Sequence, residues 1–185
     1  MKRILVLSIA LLPVAAVADC LDNSSLDEGV LVTFSDGSEA QIERIEGNLL
    51  RTSSPPRGFD QFVMVGHYGI YMTQSERSDD GLRRVRSDQD FLVTPPVPSA
   101  DMKFETVVAR LSTAPTASQQ VQVTTSTATE LLVGGCRYQT FNIEIIYWMD
   151  SEPRFGERVA SIYFPELGFG VPSWGKSIRS IEVME

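Results

Sequence analysis

Residues 138–148 (YQTFNIEIIYW) alternate in a way that suits an extended strand. Phe141, Ile143, Ile145 and Tyr147 fall on one face, with Thr140, Asn142, Glu144 and Ile146 on the other, because successive strand side chains point to opposite sides of a sheet. The same two-residue period opens the chain's folded part, where Val30, Val32 and Phe34 share a face. It returns over residues 104–111 and 119–125. No long stripe with a period of 3.6 and convincing caps occurs anywhere. Residues 100–111 and 127–133 are expected to take a helical turn or two at most. The pattern predicts an all-β fold, or a β-dominated one with minor helix. It is a single domain whose antiparallel meander forms a curved half-barrel or two packed sheets.

Turn chemistry divides the meander. Asp36-Gly37 follows the first strand and is a strong hairpin signal, since both residues tolerate positive φ. Residues 38–45 are expected to return as its partner, and residues 49–52 to form a third strand after the turn at Glu46-Gly47-Asn48. Pro55-Pro56-Arg57-Gly58 reads as a loop. Gly66 and Gly69, among strand-like residues, point to a bulge or a close backbone approach. Residues 75–90 are heavily charged and read as an exposed hairpin turning at Asp80-Gly81. Pro95-Pro96-Val97-Pro98-Ser99 is the clearest linker and is expected to divide two sheets, or two halves of one, within the same domain. Residues 112–118 and 150–156 read as turns. Residues 157–164 are expected to pair with the long strand, and residues 177–183 to close the sheet.

The N-terminus has the layout of a secretory signal. Lys2-Arg3 precedes an apolar run over residues 4–14, and Ala16-Val17-Ala18 supplies small residues at the cleavage positions. Residues 1–18 are expected to be removed on export, which places the protein in the periplasm or outside the cell. An uncleaved anchor is disfavoured by the short apolar run. Lipid attachment at Cys20 would call for Gly, Ala or Ser before it, where Asp19 stands. In an oxidising compartment Cys20 and Cys136, the only two cysteines, are expected to pair. That bond closes a loop of more than a hundred residues, worth roughly 4–5 kcal/mol on the chain-entropy model. Residues 19–28 then read as a polar leader tied down by Cys20 alone, with the β domain over residues 29–185.

Composition restricts the partners. The chain carries a net charge of −8, and loss of Lys2 and Arg3 makes it two units more negative. Such a surface is repelled by nucleic acid and by anionic headgroups. After the signal no stretch reaches the ~20 apolar residues of a membrane span.

Catalytic constellations are missing. His67 is the only histidine, which excludes multi-histidine metal sites, and it reads as a strand-end residue bonded to the backbone. Ser173, in Gly170-Val171-Pro172-Ser173-Trp174-Gly175, lies one place off a nucleophile elbow. Asp79, Asp80, Asp88 and Asp90 lack calcium-loop spacing. Asp150 and Glu152 flank Pro153 in a turn. No phosphate-binding glycine motif occurs, and no cofactor or metal is expected.

The segment Gly134-Gly135-Cys136-Arg137-Tyr138-Gln139-Thr140 leads through the long strand to Tyr163-Phe164-Pro165-Glu166-Leu167-Gly168. It resembles the C-terminal part of uncharacterised β-rich proteins of the proteobacterial periplasm, some of which are similar to the lipoprotein-carrier type of curved half-barrel. The resemblance covers residues 130–172, and more loosely 29–52, and brings no catalytic residue with it. Tyr163 and Phe164 stand on alternate faces at a strand end, and Pro165 stops the ladder by removing a donor. Two arrangements follow. Either they close the core, or Tyr163, Phe164, Phe169 and Trp174 rim an apolar cavity. The expected function is a non-enzymatic envelope binding or assembly module for a lipid, another apolar ligand or an envelope protein. A periplasmic hydrolase using carboxylates or Ser173 is the alternative.

Overall fold

The computed structural model describes residues 20–54, 61–79, 82–91, 93–110, 117–148, 156–173 and 175–184. The signal segment, Trp174, the loops at 55–58 and 150–155, most of 112–118 and the Asp80-Gly81 turn lie outside them. A short 3₁₀ helix, Asn23–Asp27, precedes thirteen strands. These are β1 (Val30–Phe34), β2 (Glu39–Glu46), β3 (Leu49–Ser53), β4 (Gln61–His67), β5 (Tyr71–Asp79), β6 (Leu82–Phe91) and β7 (Lys103–Arg110). They continue with β8 (Ala117–Thr125), β9 (Thr129–Val133), β10 (Cys136–Trp148), β11 (Glu157–Phe164), β12 (Phe169–Pro172) and β13 (Ile178–Val183). Residues 103–110, where period-two alternation was expected, and 129–133 are strands, so neither segment takes the helical turn allowed at most for it. Their β-branched and alternating side chains suit a pleated surface better than a helix.

Among the described residues every pairing is antiparallel, and the ladder runs β12-β11-β10-β8-β7-β6-β5-β4-β3-β2-β1-β13, with β9 also on β10. β6 belongs to both halves: residues 82–88 pair with β5, while Gln89–Phe91 pair with β7. The proline-rich residues 95–99 lie between β6 and β7. Among the described residues the ladder does not close into a barrel. The linker is itself held, with the Thr125 hydroxyl donating to Ser99 O at 2.6 Å and Asp101 N to Ser126 O at 3.1 Å.

Two apolar cores result. The first joins Val30, Val32, Phe34, Ile42 and Leu50 of the N-terminal sheet to Tyr138, Phe164, Leu167, Phe169 and Val171 of the C-terminal one. The second gathers Val121, Val123, Phe141, Ile143, Ile145, Tyr147 and Tyr163 around Ile70 and Tyr71. β10 serves both. Cys136 and Tyr138 point into the first core, and from Phe141 onward the opposite face is buried in the second. The alternation expected over residues 141–147 is thus present, preceded by a half-strand buried on the other face.

The β4–β5 turn locks the two sheets together. Tyr68 and Gly69 both have positive φ (55° and 68°), as a tight I′-type hairpin requires. Ile70 N donates to His67 O at 3.1 Å. Gly170 N on β12 donates to Tyr68 O at 2.8 Å, so the turn covers the free edge of β12. A Cβ on Gly69 would stand 2.5 Å from Gly170 O, and one on Gly170 would strike Ile70. Gly66 marks a register shift against β5, and a Cβ there would meet Tyr71 O at 2.6 Å. Both close approaches expected from the glycines are therefore real. Gly69→Ala should lower unfolding stability by about 1–3 kcal/mol through overpacking against backbone. Urea midpoints of wild type and variant, compared at equal m, check this.

The leader is better held than its polar sequence suggests. Besides the Cys20–Cys136 disulfide, Leu26 is 1% exposed in the first core. Leu21 N donates to the Tyr138 hydroxyl at 3.0 Å, and Asn23 Nδ2 donates to Leu167 O at 2.9 Å. Arg44 on β2 reaches back to Asp27 Oδ1 (2.6 Å) and to Asn23 O and Oδ1 (both 2.8 Å). Asp22 caps the 3₁₀ turn by accepting from Ser24 N at 2.8 Å.

Candidate binding face

β4 carries apolar side chains at consecutive positions, so both of its faces are apolar. Met64 is buried, and Val63 and Val65 look the other way and are half-buried. The register sets Glu43, Arg51, Val65 and Gln74 in one cross-strand row, with Ser53, Val63 and Glu76 in the next. Together they line an open groove of about 500 Å³ across β2–β5. Its floor is the two valines. Its sides are polar: Arg51 Nη1 is 3.8 Å from Glu43 Oε2, and Gln74 Nε2 donates to Glu76 Oε1 at 3.2 Å. The Arg51–Glu43 pair is half-exposed and screened, so it contributes little stability and its members can exchange partners at little cost.

A second, shallower hollow of about 310 Å³ lies over β8, β10 and β11, where Ala160 leaves room between Thr124, Ser126, Asn142, Glu144 and Ser173. Ser173 N donates to Ala160 O at 3.0 Å. Among the described residues, neither a histidine nor a carboxylate is hydrogen-bonded to the Ser173 hydroxyl. Glu144 is engaged by Arg158 at 3.3 Å.

No family model and no curated protein matches the chain. A solved structure similar to it is the hypothetical lipoprotein YmcC of Escherichia coli, at 11% identity and a TM-score of 0.39, covering 77% of this chain and 75% of that one.

Of the aromatic residues considered for a rim, Tyr163 lies in one core and Phe164 and Phe169 in the other. Phe164 and Phe169 are fully buried side by side in the first core, ring centroids 5.5 Å apart, with Tyr138 at 5.9 Å from Phe164. Tyr163 faces the second core, 5.2 Å from Phe141 and 6.5 Å from Tyr68. Burial pushes the phenols of Tyr71, Tyr147 and Tyr163 up, so all three stay neutral. Trp174 lies outside the described residues, as do the side chains of Asp79, Asp80, Asp88 and Asp90, and the 150–152 turn with Asp150 and Glu152.

His67 ends β4, and its Nδ1 is 3.0 Å from Asn48 Oδ1. Its partner is therefore a side-chain amide on the β2–β3 turn, where a backbone partner was expected. Burial lowers its pKa below 6.5. The unfolded chain then binds this proton more readily than the native protein, so His67 costs stability as pH falls through and below 6.5. Above that range it has no such effect. His67→Gln should flatten the fall in melting temperature between pH 7 and pH 5 relative to wild type; an unchanged slope would assign that fall to other groups.

Proposed function

We propose that the protein is an extracytoplasmic, non-enzymatic binding or assembly module that takes a protein partner on the outside of its N-terminal sheet. The groove across β2–β5 carries this reading, since it sets an apolar floor between hydrogen-bonding and charged walls. The disulfide supports an oxidising compartment. Two features favour a protein segment over an apolar ligand. Tyr163, Phe164 and Phe169, three of the four side chains considered for a cavity rim, are used in packing, and the groove walls offer amide and carboxylate groups suited to a peptide. On a chain of net charge −8, the complementary segment pairs an apolar residue with a lysine or arginine.

The test is selection from a random peptide library on immobilised disulfide-bonded protein. Peptides combining Lys or Arg with an apolar residue should be enriched, and Val65→Asp should abolish their binding while leaving the fold intact. Equal binding to wild type and Val65→Asp would remove the groove from consideration. A lipid retained in native mass spectra of the purified protein would favour the carrier reading instead.

A further inference from the structure

We propose that residues 20–28 form a redox-latched strap, which a dithiol reductant releases from its seat while both sheets stay folded. The strap joins the two sheets at their seam. Arg44 grips it from β2, while Leu167, Tyr138 and Cys136 hold it from the C-terminal sheet. Its seat is shaped for it: a Cβ on Gly168, whose φ is +75°, would strike Asn23 Nδ2 and displace that contact.

Apart from the disulfide, the strap is held chiefly by the fully buried Leu26, the partly buried Leu21 and hydrogen bonds that are exposed or only partly buried. Ordering the backbone costs free energy at every residue of the segment. With the disulfide closed the segment is tethered at both ends, by Cys20 and by Gly29 leading into β1, which removes much of that cost. With the disulfide open it has a single tether. Segments with few buried contacts open locally, below the free energy of global unfolding.

The bond is accessible from one side. Cys20 is exposed, whereas Cys136 is 6% exposed. A thiolate of the reductant attacks the Cys20 sulfur, and Cys136 leaves as thiolate and takes up a proton. The second thiol of the reductant then displaces Cys20 from the mixed disulfide. Two electrons pass from the dithiol, which becomes a disulfide, to the protein, which gains two thiols. Release uncovers the apolar surface beneath Leu26 and the Cys136 thiol.

Hydrogen exchange measured by mass spectrometry on the mature protein, before and after dithiothreitol, tests the proposal. Peptides covering residues 20–29 should lose their protection after reduction, while those from β10 and β11 remain protected, lowered only as far as the fall in global stability requires. Cys20→Ala without reductant should give the same local change. Rapid alkylation of Cys136 by N-ethylmaleimide in the reduced protein, with β10 still protected, is the second readout. Unchanged protection of residues 20–29 after reduction overturns the latch. Simultaneous loss of protection across all strands overturns it as well, because the disulfide would then staple the whole molecule.

Discussion

Phe164→Ala is expected to lower the unfolding free energy by about 3–5 kcal/mol, the range for truncating a fully buried phenylalanine. Three features put it there. The ring is 0% exposed, it sits between Tyr138 and Phe169, and it belongs to the core that holds the two sheets together. For a protein of this size each kcal/mol moves the melting temperature by about 2–4 °C, so calorimetry should register a fall of roughly 6–20 °C. Leu132→Ala is the control: its side chain is 63% exposed and should change stability by less than about 0.5 kcal/mol. A Phe164 variant as stable as that control would mean that the seam between the sheets is not an energetic core.

Loss of the disulfide is the other large effect. Cys20 and Cys136 are 116 positions apart, so Cys20→Ser frees a long loop in the unfolded chain and should cost about 5 kcal/mol on the chain-entropy model. Because Cys20 is exposed, the serine disturbs little packing in the native state. The loss should therefore come from the unfolded side and be visible as a shifted guanidinium midpoint. Adding reductant to wild type should reproduce it. A loss near zero would show that the unfolded chain is already compact around residues 20 and 136.

How far the sequence carried can be judged from particular residues. β1 and β2 were legible because Asp36-Gly37 fixes a local hairpin, and Gly37 does take φ 79°. β10 and β11 were legible from period-two alternation, and Gly66 and Gly69 from the absence of a side chain where backbones meet. β12 was hidden because Phe169-Gly170-Val171-Pro172 is short and buried throughout, so it shows no alternation, and its glycine and proline read as turn residues. The partner of β13 was also hidden, since a strand's own pattern says which face is buried but not which neighbour it finds. The groove left one trace, the unbroken apolar run over residues 62–65, which places valines on the face away from Met64. Parity also bears on the aromatic set: Tyr163 and Phe164 are adjacent, so they serve different cores.

The partnership of β1 with β13 bears on how the molecule is made. Val30 pairs with Val183 and Val32 with Ile181, so the first strand waits for the last. Contacts this remote in sequence are slow to form, because the intervening chain must be gathered first. While the chain is being made, β1 has β2 on one side and an open edge on the other. That edge offers unpaired amides to any extended neighbour until the final residues arrive. Of all the strand pairings, this one sets the period during which the nascent protein is most exposed to misassociation.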